Sequence, residues 1–320
     1  GRHLRALVAG IRAHKSWDRV EEVTFECEPG TLTRPKLETI REVGVTRLSL
    51  GVENFDDRIL AENGRAHLSK EIYRVLPWIR SLKFDQLNVD LISGMVGESW
   101  DSWRENVSRT IDADPDSVTI YQMELPFNTV YSKSVLDGQP VAVADWTTKR
   151  EWHDHAIEEL QRAGYEISSA YTMVKRGSGA RFAYRDSLWR GADLLGVGVS
   201  SFSHVNGVHY QNESRWDRYL ERVGGGELPI ERAYPPTDEE RLTREMILQM
   251  KLGRLDPVYF REKFGSDILE QFGPVFDKLR DEAMLLVEDG LVQLTRQGLL
   301  RVDQLLPEFY AKRYRNARYT

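Results

Sequence analysis

Four apolar stretches of this chain each carry a carboxylate near their C-terminal end. Residues 23–29 (VTFECEP) hold Glu26 and Glu28, and residues 47–55 (RLSLGVENF) place Glu53 after Leu48, Leu50 and Val52. Residues 87–94 (LNVDLISG) carry Asp90, and residues 118–125 (VTIYQMEL) close on Glu124. A carboxylate at a strand exit can accept two hydrogen bonds from vicinal ribose hydroxyls or from an α-amino group, and it can bind a hard cation. Each acid alone reads equally well as a helix cap or a solvated turn; the five together point to a site. Arg65, in ENGRAHLS, follows the second stretch, where a guanidinium can hold a carboxylate in a bidentate fork. His67 beside it is a candidate donor or acid–base group, although a lone histidine in a helix-entry loop reads first as a surface residue. Lys175, Arg176, Arg181 and Arg185 fall in a glycine-rich basic stretch that could grip propionates or phosphates, with a solvated loop as the first reading. HExxH, a Walker loop, a nucleophile elbow and CxxC are all missing, so hydrolytic zinc, nucleoside triphosphate and serine-nucleophile chemistry lack their usual signals. Cys27, the single cysteine, cannot form a metal cluster alone.

The elements that must position these residues follow a regular alternation. After the first stretch, LTRPKLETIREVG has Thr33 as a cap, Pro35 in the first turn, and Leu37, Ile40 and Val43 on one face before Gly44 ends the helix. Strand, helix and strand again make a right-handed βαβ unit. A helix over 68–82, capped by Ser69, contains Pro77, which predicts a kink or an early end. A helix over 99–111 carries Trp100 and Trp103 as core residues, a helix over 146–163 ends at Gly164, and 165–173 reads as one further strand. The class is therefore α/β with a parallel sheet, whose strand exits gather ligands on one side.

Organisation changes beyond Met173. Residues 175–185 read as a loop, and 192–204 (ADLLGVGVSSFSH) form a glycine and serine segment. Gly196 and Gly198 there allow close backbone approach to a ligand and Ser200 can hydrogen-bond one; a loop packed on the edge of the fold is the equal alternative. Gly224–Gly226 and Pro235–Pro236 mark a boundary, which divides the chain into domains over 1–223 and 237–306. In the second, helices over 238–251 (capped by Thr237), 256–264 and 274–287 precede a strand and turn over 288–302, a winged-helix-like arrangement.

At 320 residues, with 41% hydrophobic and 29% charged content, the chain can bury a sizeable core. A net charge of −6 gives no general attraction to nucleic acid or anionic membrane, and no apolar run is long enough to span a bilayer. One cysteine and no secretory signal fit a reducing cytoplasm. The first residue is Gly1, and 1–17 read as an amphipathic helix (Leu4, Leu7, Val8, Ile11) with no strand before it. That arrangement predicts the downstream part of a longer protein, a mature N-terminus being the alternative.

Taken in order and spacing, FECEP (25–29), GVTRLSLGVENF (44–55), GRAH (64–67), NVDLISGMVGES (88–99), PDSVTIYQMEL (115–125) and DLLGVGVSSFS (193–203) carry a family likeness. The chain resembles the radical S-adenosylmethionine (SAM) family of oxygen-independent coproporphyrinogen III oxidases and their relatives. The resemblance implies a partial parallel (β/α) barrel with SAM across the strand ends, followed by a small, mostly helical domain. Glu26 resembles the family acid that contacts the cofactor, Arg65 the arginine after the central strand, and Asp90 the aspartate of the N-x-D-L-I-x-G segment. Glu53 and Glu124 complete the cofactor-binding candidates; no residue is singled out as catalytic. The 192–204 segment resembles the one closing the substrate side, where some members hold a second SAM, which makes Gly196, Gly198 and Ser200 candidates there.

The family chemistry implied is a reduced [4Fe-4S] cluster, served by an electron donor, that cleaves SAM to a deoxyadenosyl radical. The radical abstracts hydrogen from a porphyrinogen or related tetrapyrrole, and in the oxidase proper two propionates become vinyl groups. Haem-trafficking relatives and radical SAM methyltransferases are alternatives on the same architecture. Two departures mark a divergent subgroup: glutamate at position 53 where the family usually has glutamine, and GMVGES in place of GLPGQT. The CxxxCxxC cluster loop belongs upstream of Gly1, so this chain is expected to hold no cluster ligands and to be inactive as a radical enzyme by itself.

Overall fold

Leu48, Leu50 and Val52 are wholly buried, and the first sheet is built around them. The computed structural model describes residues 1–124 and 142–315, so Leu125, the last residue of the fourth motif, lies outside the described residues. Contacts divide the chain into two compact units, Gly1–Phe182 and Ala183–Thr320. The limits drawn from sequence rest on the glycine and proline stretch at 224–236; the contact division falls earlier.

In the first unit, α1 (Arg2–His14) precedes β1 (Thr24–Cys27), α2 (Arg34–Glu42), β2 (Arg47–Glu53), α3 (Asp57–Glu62), α4 (Ser69–Leu82) and β3 (Gln86–Ser93). Then come α5 (Trp100–Asp112), β4 (Ser117–Gln122), α6 (Trp146–Arg162), β5 (Tyr165–Ile167) and β6 (Thr172–Lys175). The sheet order is β1-β2-β3-β4-β6-β5. The first four strands are parallel, while β6 runs antiparallel to both β4 and β5. The single strand expected over 165–173 is thus a hairpin. Its turn is made where the Ser168 and Ser169 N–H groups both donate to the Thr172 carbonyl, at 2.9 and 3.2 Å.

Alternation along the parallel strands separates two chemistries. One face carries Leu48, Leu50, Val89, Leu91, Val118 and Ile120, all at most 1% exposed, together with the buried sides of α2, α4 and α5 (Leu37 and Ile40; Ile72, Val75, Leu76 and Ile79; Trp103 and Val107). Each such side chain contributes about 1.5–3 kcal/mol by leaving water. That sum explains α4, which continues through Pro77 to Leu82 instead of ending there. Four buried side chains on both sides of the proline outweigh its penalty of about 3 kcal/mol. The N-cap of α4 is Leu68, not Ser69; the Glu71 carboxylate accepts from Leu68 N–H at 3.0 Å, and Asp57 accepts from Ser69 N–H at 2.7 Å. Thr33 does stand at the N-cap of α2, but makes no side-chain cap bond. In α1 only Val8 is buried, and Leu7 and Ile11 are exposed. The opposite face of the strands is polar, carrying Glu26, Arg47, Ser49, Asn88, Asp90, Ser117, Thr119 and Tyr121.

The second unit begins with α7 (Ala183–Trp189), so the stretch read as a loop to Arg185 turns helical at its end. Strands β7 (Phe202–Val205), β8 (Val208–Asn212) and β9 (Ile230–Tyr234), with α8 (Trp216–Gly224) between the last two, form an antiparallel sheet. Thr237 caps α9 (Asp238–Met250) in a reciprocal box with Glu240, as its sequence position predicts. Next follow β10 (Arg254–Leu255), α10 (Pro257–Phe264), α11 (Ile268–Gln271), α12 (Gly273–Asp281), β11 (Leu285–Glu288), β12 (Leu291–Leu294), α13 (Arg296–Leu300) and α14 (Val302–Leu305). The helix expected over 274–287 stops at Asp281. Ala283 turns left-handed (φ 57°), and the apolar run after it pairs with β12. Among the described residues no helix is long and apolar enough to cross a membrane.

Candidate functional site

The polar strand face is organised about Asn88, which is completely buried on β3. Its amide N–H groups donate to Ser49 Oγ (3.0 Å) and Asp90 Oδ1 (2.9 Å), and its carbonyl oxygen accepts from Ser117 Oγ (2.7 Å) and Thr119 Oγ1 (3.1 Å). Four bonds fill the hydrogen-bonding capacity of an asparagine side chain. Ser49 in turn donates to Asp90 Oδ2 at 2.7 Å, so both carboxylate oxygens are held and the side chain is fixed. Parallel pairing makes this possible, since Ser49 lies opposite Asn88 and Asp90 opposite Thr119. Burial pushes the Asp90 carboxyl above its usual range, while Ser49, Asn88 and the Arg47 charge pull it back down. Arg47 is itself buried, its guanidinium 3.4 Å above the Phe182 ring. Glu26, on the edge strand β1 opposite Ser49, is exposed, and its charge reaches both Asp90 and Tyr121.

Glu53 ends β2 at a register shift against β3 and adopts a left-handed backbone (φ 64°). Its carboxylate folds back towards Gly51, where Oε1 lies 3.9 Å from the place a Cβ would occupy. Its other oxygen forms an ion pair with Arg65 Nε at 2.5 Å. Burial raises the Glu53 carboxyl, opposed by Arg65 and then by His67. His67 is 2% exposed, which corrects its reading as a surface residue. Its Nε2 lies 3.1 Å from the Val52 carbonyl and its Nδ1 3.6 Å from a Glu28 oxygen. The GRAH loop reaches this depth because Gly30 leaves room for it: a Cβ there would come within 2.8 Å of the Ala66 carbonyl.

Glu26, Glu53, Arg65 and Asp90 therefore come together at one sheet face and its exit. Glu124 stands two residues beyond β4, exposed, and its charge acts on Lys149, whose ammonium burial pushes below the usual lysine range. Gly196, Gly198 and Ser200 lie in the second unit. There Asn212 Nδ2 donates to the Gly196 and Gly198 carbonyls at 3.3 and 2.9 Å, Ser200 is left-handed (φ 59°), and Leu195 and Val197 are 68% and 69% exposed. Three of the four basic residues of 175–185 are engaged: Lys175 with Asp114 (2.6 Å), Arg181 with Glu21 (2.8 Å) and Arg185 with Asp186 (2.8 Å).

Two residues were not singled out in the sequence. Asn88 was visible only as part of NVDLISG. Glu98 sits in GMVGES, and that departure was its only signal. Its carboxylate accepts from Gly94 N–H (2.7 Å) and Met95 N–H (3.3 Å) after β3, and from Asn54 Nδ2 (2.7 Å) after β2, tying two strand exits together. Burial pushes it up to about 7 against these bonds. Cys27 lies on the helix-covered side of β1, and burial raises its thiol to about 12.

Residues 3–109 match the Radical SAM superfamily. The match lies within the first unit. The chain is 23% identical over 302 residues to the haem chaperone HemW of Bacillus subtilis, covering 93% of this chain and 78% of the relative. It is 26% identical over 290 residues to the oxygen-independent coproporphyrinogen III oxidase of Thermostichus vulcanus, covering 87% of each. The solved structure of the coproporphyrinogen III oxidase HemN from Escherichia coli superposes with a TM-score of 0.81 at 20% identity, over 96% of this chain and 73% of that one. The chain thus has the α/β fold of that structure.

Proposed function

We propose that the polar strand face binds SAM and that the protein is an oxidoreductase of the radical SAM class acting on a porphyrinogen or related tetrapyrrole. The observation that carries the first part is the saturated Ser49–Asn88–Asp90 array. Strands of a parallel sheet are normally apolar on both faces, so a fixed carboxylate on one of them is retained for a ligand. The donor set fits SAM. Glu26 and Asp90 offer acceptors for ribose hydroxyls or an α-amino group, Glu124 a further one, and Glu53 with Arg65 a charge pair at the rim. An excess of carboxylates suits a ligand that bears a sulfonium and an ammonium charge. Bound there, SAM would be oriented by the chain's own residues, its sulfonium and ammonium charges facing these carboxylates.

A [4Fe-4S] cluster does not fit the described residues. Cys27 is buried with a raised thiol, and among the described residues no group of three or more His, Cys, Asp and Glu is placed to hold a metal ion. On this reading these residues carry the cofactor- and substrate-binding surfaces. For the substrate we infer the 192–204 segment, with Gly196, Gly198 and Ser200 as its backbone contacts and exposed Leu195 and Val197 as its apolar ones. The oxidase name of one relative supports a porphyrinogen. The haem chaperone matched over 93% of the chain supports a second reading, a haem carrier.

Parallel anaerobic titrations with coproporphyrin III and with haem, each with and without SAM, test this. Saturable porphyrin binding that tightens with SAM is the expected result. Haem binding indifferent to SAM selects the carrier, and failure of both ligands to bind overturns the tetrapyrrole assignment.

A further inference from the structure

Within the second unit a cavity of about 330 Å³ is lined by Asp193, His204, Arg241, Arg244 and Glu245, with Gly191 and Gly207 at its wall. Its carboxylates are already engaged. Asp238 pairs with Arg241, Glu245 holds Lys263 at 2.9 Å and accepts from Tyr259 Oη at 2.7 Å, and Asp193 accepts from Asn206 N–H at 3.0 Å. Lys263 is engaged as well, since its ammonium also donates to the Arg190 carbonyl at 2.8 Å.

The donors are not all engaged. His204 is 7% exposed, and neither ring nitrogen has a hydrogen-bond partner; Arg241 Nε is buried and equally unmatched. Arg244 takes part in neither ion pair of the wall. The His204 backbone is locked by two 2.8 Å bonds with Leu194, so the ring cannot withdraw by a shift of the strand. Burial, then Arg244 and His209, lowers the His204 pKa, which leaves a neutral ring with one N–H to give. An unmatched buried donor is costly, and two of them beside the Arg244 guanidinium make a cavity suited to an acceptor that carries negative charge. The glycines keep it open: a Cβ at Gly207 would stand 2.7 Å from Arg241 Nη1, and one at Gly191 would collide with Glu245.

We propose that this cavity binds a small oxyanion, a carboxylate or phosphate group, on Arg244, Arg241 Nε and His204. The proposal is independent of the SAM and tetrapyrrole assignments. It is tested by following the His204 ring resonance of the full chain, assigned with His204→Gln, during titration with inorganic phosphate, with succinate and with chloride at matched ionic strength. Saturable movement with phosphate or with succinate, and none with chloride, is expected, and the anion that acts names the ligand class. Arg244→Met should weaken that binding about tenfold or more, the worth of one charge-assisted bond. Arg244→Lys, which keeps the charge and loses the fork, should fall between and serves where the methionine variant does not fold. A His204 resonance that moves with no oxyanion, that moves equally with chloride, or whose titration is the same in the arginine variants overturns the proposal.

Discussion

Glu53 and Arg65 stand 2.5 Å apart, yet burial of the carboxylate is the larger influence and leaves Glu53 above its ordinary value. The two partners are therefore unequal in what their loss costs. Glu53→Gln removes a desolvated charge and should leave urea stability at pH 8 within about 0.5 kcal/mol of the parent or above it. Arg65→Gln strands the carboxylate and should cost about 2 kcal/mol; equal losses in the two variants would contradict this. Glu98 poses the same question more sharply. Its three partners are all donors, which only an acceptor-only carboxylate matches fully, yet burial holds its pKa near 7. A carboxyl raised on folding binds more protons in the native state between the unfolded value, about 4.5, and the folded one. Stability contributed by its protonated form is thus lost as pH rises through that window. Between pH 5 and pH 8 the parent should lose about 2 kcal/mol more than Glu98→Gln, measured by urea unfolding at both pH values. Identical pH slopes would show that Glu98 ionises freely.

At the scale of elements, the β2-β3-β4 ladder places one asparagine where three strands meet. Asn88→Leu leaves Ser49, Ser117 and Thr119 without their shared partner, and a loss of about 3 kcal/mol in denaturant stability is expected; a change below about 1 kcal/mol would show the array to be dispensable. The strands themselves were legible in the sequence because Leu48, Leu50 and Val52, and Val118 and Ile120, carry a strand-period pattern bounded by turn residues. The helix cap at Thr237 was an equally local signal. The polar inner face was harder to read, since serine, asparagine and threonine inside a strand look like interruptions of an apolar run until parallel pairing sets Ser49 beside Asn88 and Asp90 beside Thr119. The β5–β6 hairpin and the early end of α12 were hidden for the opposite reason: a few residues with unusual turns, at 168–171 and at Ala283, divide segments whose composition is continuous. His67 was misread because its burial depends on Gly30, 37 positions away along the chain.

At the scale of the whole molecule, the first unit supplies a polar strand face with a fixed carboxylate, and the second unit supplies the glycine-serine segment and a cavity of its own. The Asp90 carboxylate is firmly held on that face, one oxygen accepting from Ser49 on the neighbouring strand and the other from Asn88 on its own. The central claim is that this face is the cofactor's seat. Calorimetric titration of the protein with SAM, in the parent and in Asp90→Asn, measures that directly. Saturable SAM binding to the parent is expected, weakened about tenfold or more in a variant that melts within a few degrees of it. Parent protein that takes up no SAM, or an Asp90→Asn variant that binds it as tightly as the parent, would contradict it.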